Sequence, residues 1–224
     1  MSSSFDAAVE KAAAILLTYR GHHGDDAFPT IEGKLWPIIE YEAGRNGIDA
    51  IYVKRFNEPM RPILGQVRRL KETSGVYGAL ENSGVIYLCP TLDLDWQRFV
   101  QIKEACHLML DSPDDYVTSD TDIDKILLCF AQFESSEVTK QYMSEMRALA
   151  CAYELLFPFS IRLELKERYD AGAISPSDIS SAARIPVPVV KHVMGSRYWS
   201  LAQEISNRIA EKQALNHQES RAAE

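Results

Sequence analysis

Apolar residues recur at helical spacing toward both ends of the chain and alternate in a short stretch between them. Ala8, Ala12, Ile15 and Leu16 share one face of a helix predicted over 5–19. A second helix is predicted over 31–46, with Leu35, Ile38, Ile39 and Tyr41 on its apolar side and Gly44 and Gly47 as stop signals. Strand signals follow. Residues 48–55 (IDAIYVKR) alternate and are rich in β-branched and aromatic side chains. Residues 67–71 and 75–81 are weaker strand candidates, and 85–89 (VIYLC) is a short apolar run suited to a buried strand. Glu81-Asn82-Ser83-Gly84 reads as a hairpin turn between the last two.

From Asp93 onward the pattern is helical. Asp95 is the expected N-cap of a helix ending at Leu110. An acidic loop with Pro113 spans 111–120, and helices are predicted over 121–133 and 136–157, the second ended by Pro158. A shorter helix covers 160–169, Ser175-Pro176 opens another as N-cap and first helical residue, and 186–194 follows after a turn. The last helix, 198–215, carries Trp199, Ala202, Ile205 and Ile209 on one face, a docking stripe or a partner contact. The polar tail 216–224 is expected to fray. These elements predict an α+β fold: a small, mostly antiparallel sheet packed on helices, with a C-terminal helical extension. The expected domains are 1–158 and 159–224.

The 224 residues are 46% hydrophobic and 25% charged, enough for one core plus an appendage. A net charge of -8 argues against non-specific nucleic-acid binding and leaves only a local basic patch open. Cys89, Cys106, Cys129 and Cys151 are widely spaced, with no CxxC pair. The first residues are polar, and the apolar run 12–17 is too short to span a bilayer. These features predict a cytoplasmic protein with reduced thiols and no membrane partner.

The stretch Arg98 to Leu110, RFVQIKEACHLML, carries the chemistry. In an HExxH motif, two His four residues apart on a helix bind one zinc ion, and the Glu between them is the general base. Glu104 and His107 stand where the Glu and the second His belong, and Lys103 stands where the first His belongs. An ammonium is a donor only. A lone E-x-x-H arises often by chance, so the flanks matter. The Arg-Phe pair before it and the apolar residues after it make the segment resemble that of the ImmA/IrrE family of zinc peptidases. A second block, Glu145 to Pro158 (EMRALACAYELLFP), resembles the family's helix that carries an acidic third ligand. Glu145 matches that ligand, Arg147 occupies the other plausible place, and Leu149 replaces the usual Asn.

The resemblance spans roughly 31–194 and implies a zincin-like core, with Glu104 as general base and His107 and Glu145 as zinc ligands. It also implies a helix-turn-helix repressor as the protein acted on, by cleavage or by relief of its action. The lysine changes the expectation. Lys103 and His107 are neighbours on a helix face, so the ammonium would point to the ion's place and pair with Glu145 or Glu104. The leading reading is a peptidase-like regulatory protein without zinc-dependent hydrolysis, acting through a protein partner. No cofactor is then expected. One alternative is an active metallopeptidase that keeps zinc with an altered ligand set. Another is a DNA-binding regulator using the C-terminal helices, where Lys191 and His192 offer few base-reading groups. Asp120 to Asp124 alternates like a calcium loop but has Lys125 and Ala131 where Gly and Glu are needed. His22 and His23 are expected in a surface loop.

Overall fold

The computed structural model describes residues 2–24, 28–57, 64–74, 79–112 and 140–222. Among them are eight helices and one three-stranded sheet. In chain order these are α1 (Ser2–His23), α2 (Glu32–Arg45), β1 (Ala50–Arg55), β2 (Gly65–Ser74), β3 (Ala79–Leu88) and α3 (Leu94–Leu110). They are followed by α4 (Lys140–Leu156), α5 (Phe159–Asp170), α6 (Pro176–Ala183), α7 (Val187–Met194) and α8 (Ser196–Ala222). The α+β class agrees with the sequence. The helix predicted over 121–133, the calcium-like run at Asp120 and Cys129 lie outside the described residues.

The sheet order is β1-β3-β2. β1 pairs parallel to β3, and β2 pairs antiparallel to it, so the sheet is mixed rather than mostly antiparallel. The expected hairpin turn at 81–84 is instead part of β3: Ser83 pairs with Ala50 on one side and Leu70 on the other. The turn chemistry of Asn-Ser-Gly loses to hydrogen bonding on both edges of a central strand. Gly84 serves packing, not turning. A Cβ there would lie 2.5 Å from Cδ1 of Leu108 on α3, so the missing side chain lets the helix settle on the sheet.

The chain forms two compact units, one of Met1–Ile31 with Tyr153–Glu224 and the other of Glu32–Ala152. In the first, α1 buries Ala8, Ala12, Ile15 and Leu16, the face read from the sequence. Asp6 of α1 pairs with Arg208 of α8 at 2.7 Å, and Glu10 with Lys212 at 2.7 Å. Partners rising together along both helices make the two run parallel. Arg162 is fully buried, paired with Glu154 and lying over the rings of Phe159 and Tyr198. Ser175 and Asp178 form a reciprocal capping box at α6, with Pro176 in its first turn. The tail expected to fray is helical: α8 begins at Ser196 and continues to Ala222.

In the second unit, α2 buries Leu35, Ile39 and Ala43, while Tyr41, expected on that side, is 67% exposed. Asp93, rather than Asp95, caps α3 by accepting a hydrogen bond from the Trp96 amide at 2.8 Å. α3 is buried nearly all round, which is why it shows little amphipathic contrast. Gly84→Ala is expected to cost about 1–3 kcal/mol by overpacking against Leu108. Urea unfolding checks this, and in combination with Leu108→Ala the total loss should fall short of the two single losses added together.

Candidate functional site

Burial of α3 takes Glu104 and His107 out of water, and buried ionisable groups need partners. The helical repeat sets Lys103 and His107 on one side, toward α4. The Lys103 Nζ donates to Glu104 Oε1 at 2.8 Å and pairs with Glu145 Oε2 at 2.8 Å. The other oxygen of Glu145, Oε1, lies 3.2 Å from His107 Nε2. The four side chains singled out in the sequence therefore meet in one cluster within the second unit. β2 presses on it: a Cβ at Gly65 would strike Val100 and lie 3.2 Å from Glu104 Oε1.

The opposite edge of the imidazole is held just as closely. His107 Nδ1 lies 2.6 Å from Asp111 Oδ2 and 3.1 Å from Ser144 Oγ, and the Ser144 hydroxyl donates to the same Asp111 oxygen at 2.6 Å. All three residues are buried. Serine, histidine and aspartate are gathered here, but not as a nucleophilic triad. That relay needs the serine at one ring nitrogen and the carboxylate at the other. Here both sit at Nδ1, and the hydroxyl gives its proton to Asp111. The Asp111 carboxylate also accepts from Arg147 at 3.3 Å. Its backbone carbonyl accepts from Arg69 at 2.7 Å and Asn46 at 3.1 Å, and Asn46 also reaches the Leu108 carbonyl at 2.8 Å. These side chains satisfy carbonyls at the end of α3 that the helix leaves unpaired.

The electrostatics follow from the geometry. Burial alone would lower the His107 pKa, but the Glu145 charge and the Asp111 hydrogen bond outweigh it and raise it to about 9. Burial would likewise lower that of Lys103, and the carboxylates of Glu104 and Glu145 reverse this, holding it above the ordinary lysine value. Burial would raise the Glu145 carboxyl, and Lys103 and His107 instead hold it well below the usual carboxylate range. Cys106, buried on α3, has its thiol pushed well above its ordinary value by burial and by Cys151, so neither a thiolate nucleophile nor a thiolate ligand is on offer.

A zinc ion needs lone pairs at roughly tetrahedral positions. The Lys103 ammonium has none and fills the gap between Glu104 and Glu145. A protonated His107 has none at Nε2, and both Glu145 oxygens are engaged. Among the described residues, no group of three or more His, Cys, Asp or Glu side chains is disposed to hold a metal ion. The residues present do not fit zinc.

Asp111 and Ser144 were missed in the sequence. Asp111 sits four residues after His107, a spacing that could have marked it, but it reads as the start of an acidic loop. Arg147, the alternative to Glu145, contacts Asp111 instead. His22 and His23 lie on the last turn of α1 rather than in a loop, and Lys191 and His192 are exposed on α7.

Removing one partner of the cluster is expected to cost far more than a surface ion pair. Lys103→Met should destabilise by about 3–5 kcal/mol, because two carboxylates lose their cation. Adding Glu145→Gln should recover part of that loss in urea unfolding. The pH dependence has a definite sign. The contribution of His107, whose pKa is raised from 6.5 to about 9, is full below 6.5 and is lost as pH rises through 9. That of Glu145, whose pKa is lowered, is full above 4.5 and is lost as pH falls below it. Unfolding series across pH should show His107→Gln flattening the alkaline limb and also shrinking the acid limb, because His107 helps hold the Glu145 carboxyl down. No protein-family model and no curated protein matches this chain.

Proposed function

We propose that this chain is a peptidase-like regulatory protein of the ImmA/IrrE type in which a lysine has taken the place of the catalytic metal, and that it acts by binding a protein partner. A helix-turn-helix repressor is the class of partner the resemblance suggests. One observation carries the reading: the Lys103 ammonium, at the position of the motif's first His, sits 2.8 Å from both Glu104 and Glu145. It supplies positive charge where the motif would place an ion, but it cannot polarise a carbonyl as a Lewis acid or lower the pKa of a bound water. Glu104, the motif's general base, spends a carboxylate oxygen on that ammonium. The arrangement keeps the charge balance of a metal site and gives up the chemistry. Recognition of a partner does not need the chemistry.

Elemental analysis of untagged protein, purified after zinc supplementation, tests this. Well under one equivalent of zinc is expected, and one tightly held equivalent would overturn the proposal. Lys103→His should raise zinc uptake, because it removes the competing ammonium and restores a ligand with a lone pair. Incubated with candidate repressors, the unaltered protein should bind without cleaving, equally with and without chelator. Chelator-sensitive cleavage would establish the active-peptidase alternative instead.

A further inference from the structure

Two short helices of the first unit bury one face and expose the other. α6 and α7 have eight residues each and are joined by Arg184, Ile185 and Pro186. Arg184 takes a left-handed backbone (φ 54°, ψ 48°), the conformation that reverses a chain sharply after a helix. The buried Ser180 hydroxyl donates to the Ile185 carbonyl at 2.6 Å and pins the turn. Ile179, Ala183, Ile185, Val190, Val193 and Met194 are buried, and the two helices contact each other. Two helices joined by a three-residue turn over one buried face make a helix-turn-helix unit. Outward on its second helix lie Pro188, Lys191 and His192, spaced i, i+3 and i+4 and all exposed. The His192 ring packs beside those of Tyr153 and Tyr198, at 5.5 and 5.2 Å, which fixes its direction. Arg184 before α7 and Arg197 just after it are exposed as well. Residues 171–203 hold three Lys or Arg and one acid, Asp178, which is engaged with Ser175, in a chain whose net charge is -8.

We infer that this helix pair binds double-stranded DNA, with α7 entering the major groove. Lys191 would reach the acceptor edge of a guanine, with His192 beside it, and Arg184 and Arg197 would take phosphates at the two ends of α7. The first helix offers the small exposed side chains Ser177, Ser181 and Ala182, which let a phosphate backbone approach. What the outward face lacks decides between partners. None of the large exposed apolar side chains among the described residues lies on α6 or α7, so a protein partner finds no anchor there. A single strand finds no exposed Trp, Tyr or Phe on α6 or α7 to stack on. The acidic balance of the whole chain opposes non-specific attraction, so binding is expected to be local and sequence-dependent. This inference stands apart from the reading of the Lys103 cluster, and zinc content does not bear on it.

The test is selection by the full chain from a pool of random-sequence DNA duplexes. Fluorescence anisotropy then compares the enriched duplex with a scrambled duplex and with the enriched single strand. The enriched duplex is expected to bind at least about tenfold tighter than either. Lys191→Ala should cut that preference by about fivefold or more, because it removes a base contact. Arg184→Gly removes a charge while suiting the left-handed backbone. It should weaken both duplexes alike and lower the log-log salt slope by about 0.9. Thermal melting checks folding, and Lys191→Ala, a change at an exposed position, decides if Arg184→Gly does not fold. Three results would overturn the inference: no sequence enriched above a protein-free control, equal affinity for the scrambled duplex or the single strand, or a preference that Lys191→Ala leaves unchanged.

Discussion

A lysine ammonium held between two carboxylates is the constraint on which the second unit is arranged. Lys103 ties its own neighbour Glu104 on α3 to Glu145 on α4, and Glu145 passes the tie on to His107. An ion pair of this kind at a surface is worth little. Out of water its members are committed, because any one of them left alone carries an uncompensated charge. The cluster therefore specifies how α3 and α4 meet more than it adds net stability.

Around it the polar groups are satisfied in layers. Asp111 fixes the far side of His107, receives Ser144 and Arg147, and through its backbone carbonyl ties in Arg69 from β2 and Asn46 beyond α2. One residue at the end of α3 thus joins the motif helix to the sheet and to the helix before it. Two glycines make the approach possible, Gly84 under Leu108 and Gly65 beside Val100 and Glu104.

Helices were legible where an apolar stripe contrasted with polar neighbours, as in α1, or where turn chemistry was local, as at the Ser175 capping box and Pro158. The sheet was harder. The β3 residues 81–84 have the composition of a turn, and only pairing with strands on both sides holds them extended. Tyr41 and Ile38 matched a helical period, but Leu35, Ile39 and Ala43 are the residues that neighbours bury. In the cluster, the i to i+4 relation of Lys103 and His107 was readable from spacing. The lysine's place between Glu104 and Glu145 was an expectation drawn from chemistry and resemblance.

By itself the sequence determined the α+β class, most helix positions among the described residues, the residues that share one face of α3, and a lysine, not a histidine, four residues before His107. These follow from local rules: period, caps, and which side chains carry lone pairs. Tertiary structure decided the strand order, the extended course of residues 81–84 and the role of Asp111 and Ser144. Each of those depends on segments far apart in the chain coming together, and hydrogen bonding across strands and between helices is invisible until the chain has folded.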